Sequence, residues 1–284
     1  MDYEKLKQTI KGISSKDLGQ RRSWYSPAAE AYNSTRPKYP SELVGKAVIA
    51  AKLSSSSRIL EIGSGPGTAT TSFAELGCRM VCIEPNPDFC EFAKMNFKSF
   101  PSVEVINRSF EEWNLEPEAF DAVLAASSMH WIPSEIGYAK ASSALKEDGH
   151  LILMWNKELQ PCKSMQDALS DIYQLHAPSL GRYEDRKTQE EILIGLGQMM
   201  LDSGRFRNLV TATVETSLTY TAAQYVSLLS TYSSYLTLPH CTRNALLAGI
   251  QECILEEGAG EVRLSYLSTY HVAQKISSFG AKSC

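Results

Sequence analysis

Short apolar runs alternate with helix-like segments between residues 58 and 156, and this alternation constrains the fold more than any other feature. A chain that alternates strands with helices forms a parallel sheet with helices on both faces. The pattern predicts strands at 58–62, 79–84, 103–107, 119–126 and 150–155. It predicts helices at 67–76, 87–97 and 135–145, with a turn around Gly149 after the last.

The segments on either side of this alternation have weaker patterns. Residues 1–40 mix polar and aromatic side chains. Acidic residues interrupt the basic ones up to Arg22, and we expect a solvated arm there, with a binding tail as the alternative. Pro37 and Pro40 then break helix and strand, and Ser41 is placed to be the N-cap of a helix at 41–52. Beyond Trp155 we expect helical segments within 160–205, 222–236 and 241–256, and strands at 209–219 and 261–271.

The predicted fold class is therefore α/β. The two late strands would join the earlier ones in a seven-stranded, mostly parallel sheet with helices on both faces. The late helical material is expected to form a cap or insert at about residues 160–187 and 221–257. Ligands of such a sheet bind beyond the carboxyl ends of its strands, at the point where the strand order reverses.

Composition and charge argue against several classes of function. Of the 284 residues, 43% are hydrophobic and 21% are charged, which is enough for a large core. The net charge of -4 argues against a general nucleic-acid surface, and no apolar run is long enough to cross a membrane. We expect no signal peptide, because the N-terminus has no apolar core.

The cysteines contain no CxxC pair, so they indicate neither a disulfide framework nor a metal site. We expect reduced thiols, in a cytoplasmic protein, at Cys78, Cys82, Cys90, Cys162, Cys241, Cys253 and Cys284.

The first predicted strand ends in a glycine turn, RILEIGSGPG at residues 58–67. Gly63 and Gly65 can adopt positive φ and let a ligand approach the backbone, while Gly67 allows the next helix to pack tightly. A dinucleotide fingerprint would place its third glycine one residue later, where Thr68 stands, and a Walker phosphate loop would need a lysine. Both phosphate ligands are disfavoured by these differences and stay open as alternatives.

Two acidic residues extend the pattern. Glu84 ends the second strand, where a carboxylate can accept both ribose hydroxyls of an adenosyl group, as it does in NAD enzymes. Glu61, near the end of the first strand, would repel a pyrophosphate and suits a ligand with positive charge. The pair favours an adenosyl ligand that carries positive charge.

ILEIGSGPG, followed by Glu84, resembles the cofactor-binding segment of class I S-adenosylmethionine-dependent methyltransferases, whose form is E/D-x-G-x-G-x-G. FDAVLAASSMHWI, residues 120–132, is similar to the fourth strand of family members that act on small molecules. YNSTRPKYP, residues 32–40, and HWI, residues 130–132, match the trans-aconitate-methyltransferase-like subset. The resemblance is strong over residues 25–156.

The resemblance implies S-adenosyl-L-methionine (SAM) as the cofactor, S-adenosyl-L-homocysteine (SAH) as its product and a Rossmann-like core. It divides the chain into an N-terminal lid segment at 1–40, a SAM-binding core at 41–156, and a remainder at 157–284 that completes the sheet and carries the cap insertions. In the family the lid segment lies over the cofactor.

The resemblance also implies the residues of the site. Cofactor-binding residues are expected at Glu61, Gly63, Ser64, Gly65, Gly67, Glu84, Pro85, Ser109, Phe110, Glu111 and Ser127. The loop NRSFEEW, residues 107–113, flanks the adenine in the family. No metal site is expected.

Candidates for catalysis are His130, Tyr32 and Tyr39, because an imidazole can take a proton at neutral pH and tyrosine rings attract cations. Candidates for substrate binding are Arg36, His130, Trp131 and Tyr232, and the guanidinium of Arg36 could hold a carboxylate with two parallel hydrogen bonds. Packing is the alternative role of His130 and of the three tyrosines. Trp131 could instead lie on the cofactor, and Arg36 could instead attach the N-terminal segment to the domain.

The expected function is methyl transfer to a small molecule, with oxygen as the preferred atom and carboxylates among the acceptors. N- or C-methylation of a small metabolite stays open, as do an NAD(P)-dependent oxidoreductase and a non-catalytic SAM-binding protein. As partners we expect a small-molecule acceptor, no nucleic acid and no membrane. We expect a monomer or a homodimer.

Overall fold

The structure is a computed structural model that describes residues 2–277, so the thiol predicted at Cys284 lies outside the described residues. The strands are β1 Arg58–Ile62, β2 Arg79–Glu84, β3 Val103–Asn107, β4 Phe120–Ala126, β5 Leu145–Asn156, β6 Gln160–Pro161, β7 Phe206–Thr221 and β8 Glu261–Lys275. The helices of the N-terminal half are α1 Tyr3–Ser14, α2 Leu18–Ser23, α3 Ala29–Thr35, α4 Ser41–Ala50, α5 Thr70–Ala74, α6 Pro87–Asn96 and α7 Ser134–Ala144. Those of the C-terminal half are α8 Lys163–Ala168, α9 Ser170–His176, α10 Arg186–Asp202, α11 Ala222–Leu229, α12 Ser233–Leu236 and α13 His240–Glu257.

One sheet contains all eight strands, in the order β3-β2-β1-β4-β5-β8-β6, with β7 also paired to β8. The pairs among β1 to β5 are parallel, and β8 is antiparallel to β5, β6 and β7. β8 is therefore the one strand of this sheet that runs against the others, as in a Rossmann-like sheet with a reversed strand near one edge. The strand order reverses at β1, which lies between β2 and β4, so this is where a ligand is expected.

The structure confirms the predicted α/β class and the mostly parallel sheet. The first three predicted strands have the observed bounds, and β4 begins one residue later than expected. Ser41 is not the N-cap of α4; Pro40 holds that position, and the helix begins at Ser41. The helix predicted at 67–76 is also shorter than expected, because only 70–74 is helical after the glycine turn.

The turn expected around Gly149 is an irregularity within β5. Leu145 lies opposite Phe120 of β4, and the next pair joins His150 to Ala122. Two residues along β4 thus correspond to five along β5, so the intervening residues 146–149 bulge out of the ladder. The later strands are also longer than predicted, because β7 and β8 pair with each other along almost their entire lengths.

The N-terminal segment is not a solvated arm, and that prediction was wrong. α1 buries Leu6 and Ile10 against Ile192 and Leu196 of α10, in the core on one face of the sheet. The 3₁₀ turn before α3 and the start of α3 bury Ala28 and Ala29. Apolar burial at both ends therefore attaches this segment to the rest of the protein.

A separate hydrophobic core lies in the late helices. It joins α8, α9, α11, α12 and α13 through Leu169, Leu228, Leu246 and Ile250, all fully buried. The hydroxyls of Tyr173 and Tyr235 are 2.7 Å apart within it. These helices form a cap, whereas α10 packs on the sheet itself. Within residues 2–277, no helix combines the length and the hydropathy that crossing a membrane requires.

Candidate functional site

A cavity of about 1160 Å³, including its open mouth, lies at the carboxyl ends of β1, β2, β4 and β5. Its floor is the glycine turn after β1 and the residues that follow β2, β3 and β4. Its roof comes from residues of the N-terminal segment, namely Leu18, Arg21, Arg22, Tyr25, Tyr32, Arg36, Pro37 and Tyr39. The cavity thus occupies the point where the strand order reverses.

The glycines of the turn have different surroundings. A Cβ atom at Gly67 would overlap the ring of Phe97, the C-cap residue of α6, so the close packing that requires glycine there is against α6 and not between the next helix and the strand. A Cβ atom at Gly65 would meet only Phe89, 4.0 Å away, and would otherwise project into open space beside the cavity. Both have positive φ, which a side chain would strain. Gly65 is therefore where a ligand can approach the backbone.

The carboxylate of Glu84 is bound to the same turn. Its two oxygens accept hydrogen bonds from the backbone N–H groups of Gly65 and Asn86, each at 2.8 Å. Burial raises the pKa of Glu84 to about 7, and these hydrogen bonds oppose the rise. The side chain lines the cavity, so the remaining lone pairs of the carboxylate are available to ligand hydroxyl groups.

Glu61 is predicted to bind the cofactor, but the structure does not place it in the cavity lining. One carboxylate oxygen accepts a hydrogen bond from Thr70 at 2.6 Å, and the other is buried without a partner. Burial raises the pKa of Glu61 to about 8. The side chain of Glu61 is thus held in the core, where its carboxylate accepts from Thr70 of α5 and Cys82 of β2.

The loop after β3 forms the next wall. Ser109, Phe110 and Glu111 all line the cavity, as expected for the residues that flank an adenine. The amino group of Lys140 donates to the backbone carbonyls of Phe110, Glu111 and Trp113. A single α7 side chain therefore fixes the path of this loop.

The residue after β4 has an unusual backbone. Ser127 has φ +53°, and its N–H donates to the carbonyl of Met154 at 2.8 Å. Its hydroxyl is 2.9 Å from the hydroxyl of Tyr39, whose ring is buried. Both residues line the cavity, beside Asn156 and Lys157 at the end of β5. We refer to this side of the cavity, which includes Arg36 and Trp131, as the acceptor half.

Arg36 lies in the roof of the acceptor half. Its guanidinium lies over the rings of Tyr32 and Tyr232, at 4.7 and 4.4 Å from their centroids. It donates to the hydroxyl and to the carbonyl of Thr231 in the cap, each at 2.8 Å. Among residues 2–277, no carboxylate forms an ion pair with it. The side chain thus connects the N-terminal segment to the cap and brings a positive charge to the cavity, and the carboxylate of Glu158 interacts electrostatically with that charge.

Three further predicted residues do not line the cavity, and Gly67, which packs against Phe97, is one of them. Tyr232 packs under Arg36, and its hydroxyl accepts the N–H of Leu159. His130 lies between the rings of Trp131 and Trp155, with its Nδ1 buried and unpartnered. Burial lowers the pKa of His130 to about 4, so it is neutral at physiological pH. The geometry does not support a base role for His130 or a direct substrate contact for Tyr232.

The remaining predicted residues do line the cavity: Tyr32, Tyr39, Gly63, Ser64, Pro85 and Trp131. Several lining residues were missed by sequence reasoning: Arg21, Arg22, Tyr25, Asn86, Phe89 and Lys157. Asn86 had a detectable signal, since it follows Glu84 and caps α6 through the N–H groups of Asp88 and Phe89. Arg21 and Arg22 had no such signal in the sequence, because their position depends on how the N-terminal segment folds back over the sheet.

The lining fits an adenosyl ligand with a positive sulfur. Glu84 offers acceptors for ribose hydroxyls, and Gly65 leaves space for a close approach to the backbone. The rings of Tyr25, Tyr32 and Phe89 pack together, with centroids 4.9 to 6.0 Å apart, and offer faces that attract a cation. No group of metal-ligating side chains occurs in the described part of the chain.

Residues 59–149 match the family model described as a methyltransferase domain. An uncharacterized methyltransferase from Mycobacterium tuberculosis is 30% identical over 132 residues, which are 46% of this chain and 51% of that protein. A probable S-adenosylmethionine-dependent methyltransferase from Saccharomyces cerevisiae is 27% identical over 178 residues, 61% of this chain and 60% of that protein. The chain thus spans about half the length of the mycobacterial relative.

A solved structure from Anaeromyxobacter dehalogenans, named as a "putative type II methyltransferase", superposes with a TM-score of 0.60 at 16% identity. The superposition covers 84% of this chain and 97% of that one, and shows that the two share a fold. The matches support a class I SAM-dependent methyltransferase domain around the glycine turn, Glu84 and the loop after β3.

Proposed function

We propose that this protein is a SAM-dependent methyltransferase that transfers a methyl group to a small-molecule acceptor. The observation that carries the proposal is a single cavity with two different ends. One end has Gly65 and Glu84 at the strand-order reversal, inside the segment that matches a methyltransferase domain. The other end, the acceptor half, is lined by polar and aromatic side chains.

On this proposal, the carboxylate of Glu84 accepts the ribose hydroxyls, and the loop from Ser109 to Glu111 flanks the adenine. Tyr25 and Tyr32 present ring faces to the positive sulfur. When bound, SAM would supply an electrophilic methyl group: a lone pair of the acceptor would form a bond to the methyl carbon, and the S–CH3 bond would break with its electron pair staying on the sulfur of SAH. The protein's contribution is to align the acceptor with this methyl group and to exclude water.

The shape of the site supports a small acceptor. The N-terminal segment forms the roof of the cavity, and Arg36 and Trp24 attach that roof to the cap through Thr231 and Ser233. An acceptor must therefore fit beneath residues 18–39, in a space that it shares with the cofactor.

The charges support O-methylation, with a carboxylate as the acceptor. The partly buried guanidinium of Arg36 interacts electrostatically with Glu158 but forms no ion pair in the described part of the chain, so its remaining N–H groups can hold an acceptor carboxylate. No histidine lines the cavity within residues 2–277. A carboxylate has already lost its proton, so its methylation needs orientation and no base. We also propose that the protein belongs to the trans-aconitate-methyltransferase-like subset, because Tyr32, Arg36 and Tyr39 of that motif line the cavity.

The experiment is methyl transfer from SAM labelled with tritium in its methyl group. A panel of carboxylic acids, phenols and amines is incubated with the wild-type protein, Glu84→Ala and the control Glu91→Gln, whose side chain is exposed on α6. We expect label in a carboxylic acid with the wild-type protein and the control, and at least about a hundredfold less with Glu84→Ala.

Label found only in amines or phenols would contradict carboxylate methylation. Binding of SAM without transfer to any member of the panel would favour the non-catalytic alternative.

A further inference from the structure

The helix α2 covers the cofactor side of the cavity but has no apolar attachment of its own. None of its residues is buried, and Asp17 caps it through the N–H groups of Gly19 and Gln20. Its neighbours are attached differently, because Leu6 and Ile10 anchor α1 in the main core. An element without buried side chains opens at low energy cost unless polar contacts hold it.

One such contact is made by Arg21. Its Nη1 donates to Oε1 of Glu111 at 2.6 Å and to the carbonyl of Trp131 at 2.5 Å. Its Nε donates to the carbonyl of Lys16 at 3.1 Å, which fixes the side chain to its own segment. One guanidinium therefore joins three parts of the cavity: the roof, the loop after β3 and the loop after β4.

Arg22, the next residue, makes a second ion pair with the same loop. Its Nη2 is 2.7 Å from Oε2 of Glu112, and the two side chains are 42% and 50% exposed. In contrast, the side chains of Arg21 and Glu111 are only 11% and 15% exposed. Exposed ion pairs contribute little because water and salt screen them, whereas breaking a largely buried pair leaves a charge without a partner.

We propose that the ion pair between Arg21 and Glu111 is a latch that keeps α2 closed over bound cofactor and sets the rate of cofactor exchange. The proposal rests on the proposed function, in that it assigns the cofactor to this side of the cavity. Leu18, Arg21 and Tyr25 line the cavity together with Glu84 and Ser109, so the roof lies over the predicted adenosyl site. Arg21 is a positioning residue, because it acts by holding Glu111 and the Trp131 loop in place.

The structure provides an optical signal for the test. Trp24, just after α2, and Trp131, in the loop that Arg21 holds, have ring centroids 5.7 Å apart. Separation of α2 from that loop changes the environment of both indoles, so tryptophan fluorescence should report opening. SAH is the probe ligand, and its dissociation rate is measured by stopped-flow displacement with excess SAM.

The variants are Arg21→Gln, Glu111→Gln and Arg21→Lys, with Lys5→Gln, an exposed α1 residue outside the cavity lining, as the control for loss of one positive charge. We expect SAH to dissociate at least about tenfold faster from Arg21→Gln, because loss of a buried charge partner acts mainly on dissociation. Lys5→Gln should change the rate by less than about twofold, and Arg21→Lys should recover part of the loss. Hydrogen exchange of the unliganded protein should quicken over residues 15–26 in Arg21→Gln and stay unchanged in β1, β2 and β4.

Unchanged dissociation and unchanged exchange in Arg21→Gln would overturn the latch. Equal effects of Arg21→Gln and Lys5→Gln would also overturn it, because net charge would then explain both. If the wild-type protein binds no SAH, the proposed function fails, and hydrogen exchange of the unliganded variants still decides whether Arg21 holds α2. Should Arg21→Gln fold poorly, Glu111→Gln tests the same ion pair from its other side.

Discussion

The hydroxyl oxygens of Tyr39 and Ser127 lie 2.9 Å apart in the wall of the cavity. Tyr39 comes from the N-terminal segment, and Ser127 directly follows β4. The backbone of Ser127 has φ +53°, and the N–H that donates to Met154 holds it there. Of the non-glycine residues with positive φ in the described part of the chain, Ser127 alone lines the cavity. The contact therefore fixes a strained residue where the acceptor half meets the glycine turn.

This strain predicts an unusual effect of glycine at position 127. Ser127→Gly should be more stable than Ser127→Ala by about 1–2 kcal/mol, because only glycine adopts left-handed φ without a steric penalty. Chemical denaturation measures the free energy of unfolding. The exposed helical residue Ser143 is the control, and there glycine should be less stable than alanine by about 1 kcal/mol. The same order of stability at both positions would show that Ser127 is not strained.

The glycine turn predicts that two similar substitutions have different effects. Gly67→Ala should lower the free energy of unfolding by at least about 3 kcal/mol, because its Cβ overlaps Phe97 and its φ is +103°. Gly65→Ala should lower the free energy of unfolding by only about 1–2 kcal/mol and leave the protein folded. Its Cβ would project toward the bound ligand, so calorimetry should show SAH affinity reduced at least about tenfold. Full SAH affinity in Gly65→Ala would contradict the position assigned to the cofactor.

The raised pKa of the buried Glu61 carboxyl group should make the stability of the protein depend on pH. This pKa is raised from 4.5 to about 8 in the folded protein, so between these values the folded state keeps a proton that the unfolded state has lost. Stability should therefore fall as pH rises from about 5 to 8, by up to a few kcal/mol, since one pKa unit is worth about 1.4 kcal/mol. Thermal unfolding of Glu61→Gln should show a shallower decline, and the exposed control Glu91→Gln should behave like the wild-type protein. Parallel curves for Glu61→Gln and the wild-type protein would refute this role.

Glu84 predicts a pH dependence of ligand binding. Burial raises its pKa to about 7, and only the carboxylate form can accept both ribose hydroxyls. SAH affinity should therefore decrease as pH falls below about 7, by up to about tenfold per pH unit. Calorimetry at pH 6 and 8, in buffers of different ionisation enthalpy, measures both the affinity and the proton uptake. Equal affinity at both pH values would argue against a role for the Glu84 carboxylate.

The strands were the most predictable part of the molecule. β1, β2 and β3 are apolar runs with clear polar or glycine boundaries, and the sequence defined their ends. The boundary between α7 and β5 was not predictable from local pattern, because Leu145 suits a helix end and a strand equally well. Its pairing with Phe120 of β4, a tertiary contact, decides the outcome.

The site was predictable where a motif determines the backbone. The glycine turn and Glu84 lie where the motif indicates, because the turn brings Gly65 within hydrogen-bond distance of Glu84. Side-chain direction was less predictable. Sequence alone could not show that His130 points between two indoles, or that Glu61 is held in the core.

Calorimetric titration of the wild-type protein and Glu84→Ala with SAM, SAH and NAD tests the central claim most directly. Glu91→Gln is the control for loss of a single carboxylate, and thermal unfolding confirms that each variant is folded. The account predicts that SAM and SAH bind to the wild-type protein and the control, that Glu84→Ala weakens both at least about a hundredfold, and that NAD does not bind. Binding of NAD in place of SAM and SAH would contradict it and assign the glycine turn to a dinucleotide.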